Sequence, residues 1–135
     1  MTTKDVGDAG EAQALAHLLG QGLTLVERNY RVARGPNAHG GEIDLILREP
    51  DGTLVFVEVR TRRSASLGGG SSSRTAFGGA AASVGAIKQR RLVLAARHFL
   101  QRFKTLPACR FDVVTVEGQG AQARIEWFRA AFDTS

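Results

Sequence analysis

Three carboxylates stand inside two short stretches that otherwise read as apolar strand. Glu42 and Asp44 lie in GGEIDLI (40–46), and Glu58 lies in VFVEVRTRR (55–63). Carboxylates are depleted from strands and are seldom buried without a partner. Three in so small a space ask for a strong counter-charge or a metal. Mg2+ (or Mn2+) suits them, because it prefers hard oxygen ligands from one or two carboxylates plus waters and phosphate. The chemistry this implies is metal-assisted hydrolysis of a phosphodiester.

The turn between the two stretches predicts how the acids face one another. Pro50-Asp51-Gly52 suits a type I turn followed by a left-handed glycine, the three-residue hairpin loop with a bulge. That loop sets Glu49 opposite Thr53, so Asp44 falls across from Glu58 and Glu42 across from Arg60. Directly opposed side chains share a face at roughly 5 Å between Cβ atoms. Two carboxylates that close repel unless a cation lies between them. The competing interpretation is a charge cluster in which Arg60 neutralises these acids without any metal.

The flanking elements must deliver whatever else the site uses. Residues 7–22 read as a helix with Ala12, Leu15, Ala16, Leu18 and Leu19 at helical spacing. Asp8 is placed to cap it, with Glu11 three residues on as in a capping box. Glu11 also lies one turn before Leu15, where it would carry a carboxylate inward; both roles stay open. Residues 23–34 read as a strand. A second helix is expected over roughly 84–104, capped by Ser83, with Leu92, Ala95, Ala96, Phe99, Leu100 and Phe103 as its core face. Lys88 lies one turn before Leu92 on that stripe. Two further strands follow at 109–117 and 123–128. In the first, Asp112 shares a face with Val114 and Val116 and sits beside Arg110, which reads as a structural pair. Trp127 reads as packing, His17 as a surface or edge residue, and His39 as a loop histidine without a ligand role.

Charge is distributed unevenly along the 135 residues. The net charge of +5 hides a block, residues 59–111, that holds 11 basic residues and no acidic one. A basic block directly after an acidic hairpin points to a polyanion, and nucleic acid fits both halves. Arg62, Arg63, Arg74, Lys88, Arg90 and Arg91 are the candidate phosphate contacts. The stretch 64–83 is rich in Gly, Ser and Ala, a composition expected to be flexible. A single cysteine, Cys109, excludes an intramolecular disulfide and a cysteine-based zinc site. With no apolar run approaching ~20 residues, the expectation is a cytoplasmic protein with no membrane segment.

GGEIDLI followed by FVEVRTRR, a basic helix with IKQRR (87–91), and CRFDVV (109–114) together resemble the YraN family of small nuclease-like proteins. That family is assigned to the PD-(D/E)xK superfamily, with the restriction-endonuclease-like fold. The resemblance covers roughly residues 7–133. It implies that Asp44 and Glu58 bind Mg2+, with Glu11 as the helix acid that completes the site. It also implies a Lys two residues after the Glu, where this chain has Arg60. Arginine stays protonated and cannot accept a proton from water, although it can stabilise charge on a transferring phosphate. Lys88 is the candidate to have taken over the lysine's place.

The expectation is therefore an α/β fold, a single nuclease-like domain over 1–135. Its central mixed sheet of four or five strands is flanked by helices in a restriction-endonuclease-like core. The first functional expectation is a Mg-dependent nuclease acting on nucleic acid, in the first place DNA. Asp44, Glu58, Arg60, Glu11 and Lys88 would be catalytic, and Asp44, Glu58 and Glu42 would be metal ligands. The alternative is a non-catalytic nucleic-acid-binding module that keeps the nuclease fold, and a third reading makes the acids purely structural. Cutting both strands of a duplex needs two active sites, which a homodimer would supply.

Overall fold

The hairpin that carries the acids forms the centre of a five-stranded mixed sheet. The computed structural model describes residues 3–33, 40–62, 84–118 and 120–132, with side chains described from residue 8 onward. The Gly/Ser-rich stretch at 64–83, and with it Arg63, Arg74 and His39, lies outside the described residues. The elements are α1 (Thr3–Gly20), β1 (Thr24–Val32), β2 (Gly41–Arg48), β3 (Leu54–Arg62), α2 (Ala86–Leu100), β4 (Cys109–Glu117) and β5 (Arg124–Phe128). The strands lie in the order β1-β2-β3-β4-β5. Only β3 and β4 are parallel, and α2 makes the crossover between them.

Strands β2 and β3 are buried along nearly their whole length, as central strands covered on both faces must be. One face packs Leu45, Leu47, Val55, Val57, Val114 and Val116 against Ala14 and Leu18 of α1. The other packs Ile46, Leu54, Phe56, Phe111 and Val113 against Leu92, Ala95, Ala96 and Phe99 of α2. The chain is thus a single α/β domain of helix, sheet and helix, consistent with a restriction-endonuclease-like core.

The hairpin turn forms as its residues predict. The Gly52 amide donates to the Glu49 carbonyl at 2.8 Å, and Glu49 pairs with Thr53 at 2.9 Å. Gly52 takes φ +96°, a backbone conformation that a side chain would strain. The Thr53 amide donates to the Asp51 carboxylate at 2.9 Å. Beyond the turn the register is the expected one, with Arg48 opposite Leu54 and Leu45 opposite Val57.

Three local expectations need correction. The first helix begins at Thr3, so Asp8 lies in its second turn and is no N-cap. Its buried face is also rotated: Gly10, Ala14 and Leu18 are buried, whereas Ala12, Ala16 and Leu19 are exposed and Leu15 is half-buried. The reason is close approach. A Cβ on Gly10 would stand 2.5 Å from the Thr61 Oγ1, so a small residue there lets α1 settle onto β3. The helix then ends as expected near Gly22, where the Leu23 amide donates to the Leu18 carbonyl and the Gly22 amide to the Leu19 carbonyl. The third correction concerns α2. It starts at Ala86, capped by Gly85 without a side-chain hydrogen bond, and ends at Leu100. Ser83, the expected cap, lies outside the described residues. Phe103, beyond its end, still packs on the same cluster.

Asp112 is a structural anchor, as its position beside Arg110 suggests. It is fully buried. It accepts hydrogen bonds from Arg110 Nε at 3.0 Å, Trp127 Nε1 at 2.8 Å and the Ala130 amide at 2.9 Å. Arg110 reaches on to Glu49 at 2.6 Å, so this network ties the hairpin turn to the C-terminal segment. Phe132 of that segment stacks on Phe111 with ring centroids 5.2 Å apart.

Candidate functional site

The site begins where β2 and β3 part. Their pairing extends from the turn to Leu45 and Val57 and stops there. The expected ladder positions of Asp44 against Glu58, and Glu42 against Arg60, are therefore not formed. In place of a strand partner, the Asp44 Oδ2 accepts the Val59 amide hydrogen at 2.8 Å. The alternation of β2 breaks at the same point. Ile43 belongs to the α2-side cluster and Leu45 to the α1-side cluster, although residues two apart on a regular strand share a face. On β1, Asn29 lies between the residues that pair with Ile43 and Leu45 and has φ +51°. A kink shared by β1 and β2 thus opens the sheet at Asp44.

Glu58 sits beside this fork and is 3% exposed. Its Oε2 lies 3.6 Å from Lys88 Nζ and 3.7 Å from Arg60 Nη1. Its Oε1 is buried with no hydrogen-bond partner. Burial, then the neighbouring Asp44 charge, pushes the Glu58 carboxyl up to about 8. Burial likewise raises Asp44, against the Val59 amide and the Lys88 charge that pull it down. Glu11, half-buried on α1, is pushed up to about 7 by burial and then by Asp44. Three carboxyls from three elements therefore share one electrostatic neighbourhood, with two cations set against the most buried of them.

Lys88 arrives because α2 lies tight on β2. A Cβ on Gly41 would stand 2.7 Å from the Arg91 carbonyl and 2.9 Å from the Ala95 amide nitrogen, so α2 rests on bare backbone there. That contact brings the first turn of α2 to the fork. The first turn carries no acid to compete for Lys88. Glu42 stands opposite Arg31 in the β1–β2 register, and its Oε1 lies 3.8 Å from Arg91 Nη2. Arg60 faces Glu58 and not Glu42.

Among the described residues, no group of three or more His, Cys, Asp and Glu side chains is arranged to hold a metal. Two carboxylates are enough for Mg2+, which keeps several waters and takes substrate oxygens. The orphaned Glu58 Oε1 and the raised carboxyls are compatible with a divalent cation. Asp44 and Glu58 are the residues that would hold it, and Glu42 is held by Arg91.

Of the other basic residues named from sequence, Arg62 and Arg90 are exposed at the end of β3 and on α2. Arg91 is half-exposed in its pair with Glu42. Sequence reasoning missed Arg28 and Arg31, which with Asp8, Glu11 and Asn29 line an open hollow of about 580 Å³. Asn29 was the available signal, since Asn is depleted within strands and enriched at left-handed kinks.

The profile of Uncharacterised protein family UPF0102 matches residues 10–116. This span takes in the second half of α1, β1, the forked hairpin, α2 and nearly all of β4. The chain belongs to the UPF0102 family, also called YraN. A UPF0102 protein of Methylibium petroleiphilum is 60% identical over 135 residues, covering all of this chain and 99% of the relative. A UPF0102 protein of Polaromonas naphthalenivorans is 55% identical over 140 residues, covering all of this chain and 83% of the relative. One from Cupriavidus taiwanensis is 53% identical over 127 residues, covering 94% of this chain and 82% of that protein. Within the UPF0102 chain, no helix among the described residues is long and apolar enough to cross a membrane.

Proposed function

We propose that this protein is a Mg2+-dependent nuclease that hydrolyses phosphodiester bonds in nucleic acid, with DNA as the first candidate. One observation carries the reading: the buried, unpartnered Glu58 Oε1 at a strand fork beside Asp44, with Lys88 and Arg60 facing the same carboxylate. A buried carboxylate oxygen without a partner costs about 1–3 kcal/mol or more, and a bound cation removes that cost.

In this reading Asp44 and Glu58 hold the ion. When bound, it would neutralise the scissile phosphate and make water a stronger nucleophile. The Val59 amide fixes the Asp44 carboxylate beside Glu58. Arg60 and Lys88 give their donors to non-bridging phosphate oxygens as charge builds there. Arg60 cannot take a proton. Glu11, with a carboxyl titrating near neutral pH, is suited to exchange one. The basic residues Arg62, Arg90 and Arg91 position the backbone without reading sequence. A cytoplasmic location accords with the composition.

A second reading is favoured by Arg60, which stands where the superfamily resemblance implies a lysine. In it the fold binds nucleic acid without cleaving. Two measurements separate the readings. The first is calorimetric titration of Mn2+ into wild type and Asp44→Asn. The second is incubation of the metal-loaded protein with single-stranded, duplex and branched DNA and with RNA. Metal-dependent cleavage lost in Asp44→Asn supports the nuclease. Salt-sensitive binding without cleavage of any substrate supports the binder. Absence of metal binding with and without DNA rejects the nuclease.

A further inference from the structure

The hollow lined by α1 and β1 adjoins the candidate centre through Glu11, whose carboxyl is raised by burial and then by the Asp44 charge, and lowered by Arg28. Its two cations differ from those at the fork. Arg60, Lys88 and Arg91 each have an acid within ion-pair distance. Neither Arg28 nor Arg31 has one within 4.0 Å among the described residues. Both side chains are exposed on β1 and line the hollow. The left-handed backbone at Asn29 separates them, at the same kink that opens the sheet at Asp44.

We propose that this hollow is a subsite for the nucleotide next to the scissile bond, with Arg28 and Arg31 holding its flanking phosphate. The inference rests on the nuclease reading and extends it to residues outside the acidic hairpin. Arginine suits the task because its planar fork matches phosphate oxygens two at a time. The remaining lining is chemically different. Asp8 and Asn29 offer acceptors, and Asn29 a donor, to a base edge. A concave wall with both signs of charge selects a nucleotide over a bare anion, since the acid repels a phosphate not steered by the arginines. The strand would then pass from Arg28 and Arg31, over Asp44 and Glu58, to Lys88 and Arg60.

The probe is thymidine 3′,5′-bisphosphate, a nucleotide that carries phosphate on both sides and has no internucleotide bond to cleave. Its affinity is measured by calorimetry in Mg2+ buffer for wild type, the double variant Arg28→Ala/Arg31→Ala, Arg28→Lys/Arg31→Lys, and Arg124→Ala on β5. Loss of two charge-assisted contacts is expected to weaken binding on the order of tenfold or more. The lysine pair should recover part of the loss, and Arg124→Ala should match wild type. Mn2+ affinity should stay the same in all four proteins. Equal nucleotide binding by wild type and the alanine pair overturns the subsite, as does absence of binding by wild type. Failure of the nuclease reading is seen separately, as wild type that takes up no Mn2+. The lysine pair, which keeps both charges and much of both stems, separates a lost contact from a lost fold.

Discussion

Asp44 accepts the Val59 amide hydrogen at 2.8 Å where β2 and β3 cease to pair, so one side chain does the work of a missing strand partner. The carboxylate is both part of the fold and a candidate ligand, and two substitutions divide these roles. Asp44→Asn keeps an oxygen for Val59 and removes the charge beside Glu58. It should leave the metal-free protein at least as stable as wild type and abolish Mn2+ binding. Asp44→Ala should lose metal and also cost about 1–3 kcal/mol for the unpaired amide. Urea unfolding of both variants checks this, and equal destabilisation would remove the structural role.

Stability should depend on pH in a direction set by the raised carboxyls. Glu58 at about 8 and Glu11 at about 7 stand above their ordinary value of 4.5, so the folded state holds protons more tightly than the unfolded one. Their favourable contribution is complete below about pH 4.5 and is lost as pH rises through about 7 to 8. Metal-free protein should therefore unfold at lower urea at pH 9 than at pH 6. Glu58→Gln should remove most of that slope, and Mg2+ should flatten it by favouring the ionised forms. A midpoint that rises with pH across this window would refute the assignment.

Lys88 lies 3.6 Å from Glu58, where it stands in part for the cation the acids would bind. Lys88→Ala should leave metal affinity equal or higher, because a competing positive charge is gone. Cleavage should fall roughly 100- to 1,000-fold, as when one donor to a developing anion is removed. Calorimetry and single-turnover cleavage on the same variant read the two effects. Weaker metal binding would mean that Lys88 only supports the fold.

Close approach at Gly41 positions that lysine. Gly41→Ala would place a Cβ 2.7 Å from the Arg91 carbonyl, backbone that cannot swing away. The expected cost is about 1–3 kcal/mol from overpacking, with loss of cleavage as α2 is displaced from the fork. Denaturant unfolding and activity together check this, and an unaffected Gly41→Ala would show that α2 can shift without moving Lys88.

The Asp112 network should behave as structure alone. Asp112→Ala leaves Arg110, the Trp127 indole and the Ala130 amide without their shared acceptor. A loss of about 3–5 kcal/mol follows from breaking a buried charged pair. Metal affinity measured below the unfolding transition should not change.

Local chemistry was legible and packing was not. The Pro-Asp-Gly turn predicted the β2–β3 register, because a three-residue loop leaves the strands one way to start pairing. It could not say where pairing would end, which depends on the kink at Asn29 on a different strand. The helix face of α1 was misread because Leu15 and Leu19 outweigh Gly10 and Ala14 in any hydrophobic pattern. Packing chose the small residues, because only they let the helix reach Thr61. Arg28 and Arg31 carried no signal, since their value comes from facing α1 across a hollow.

By itself the sequence determined that acids would lie in a central hairpin, that a basic segment would follow, and that the chain resembles the family to which it belongs. These properties reside in residue type and short-range spacing. The tertiary structure alone decided that Asp44 would turn to Val59 and not lie across from Glu58. It likewise decided that Glu42 would be taken by Arg91, and that Glu11 and Lys88 would converge from opposite faces of the sheet. Those outcomes depend on how far two helices can approach a sheet, which is set by atoms missing at Gly10 and Gly41.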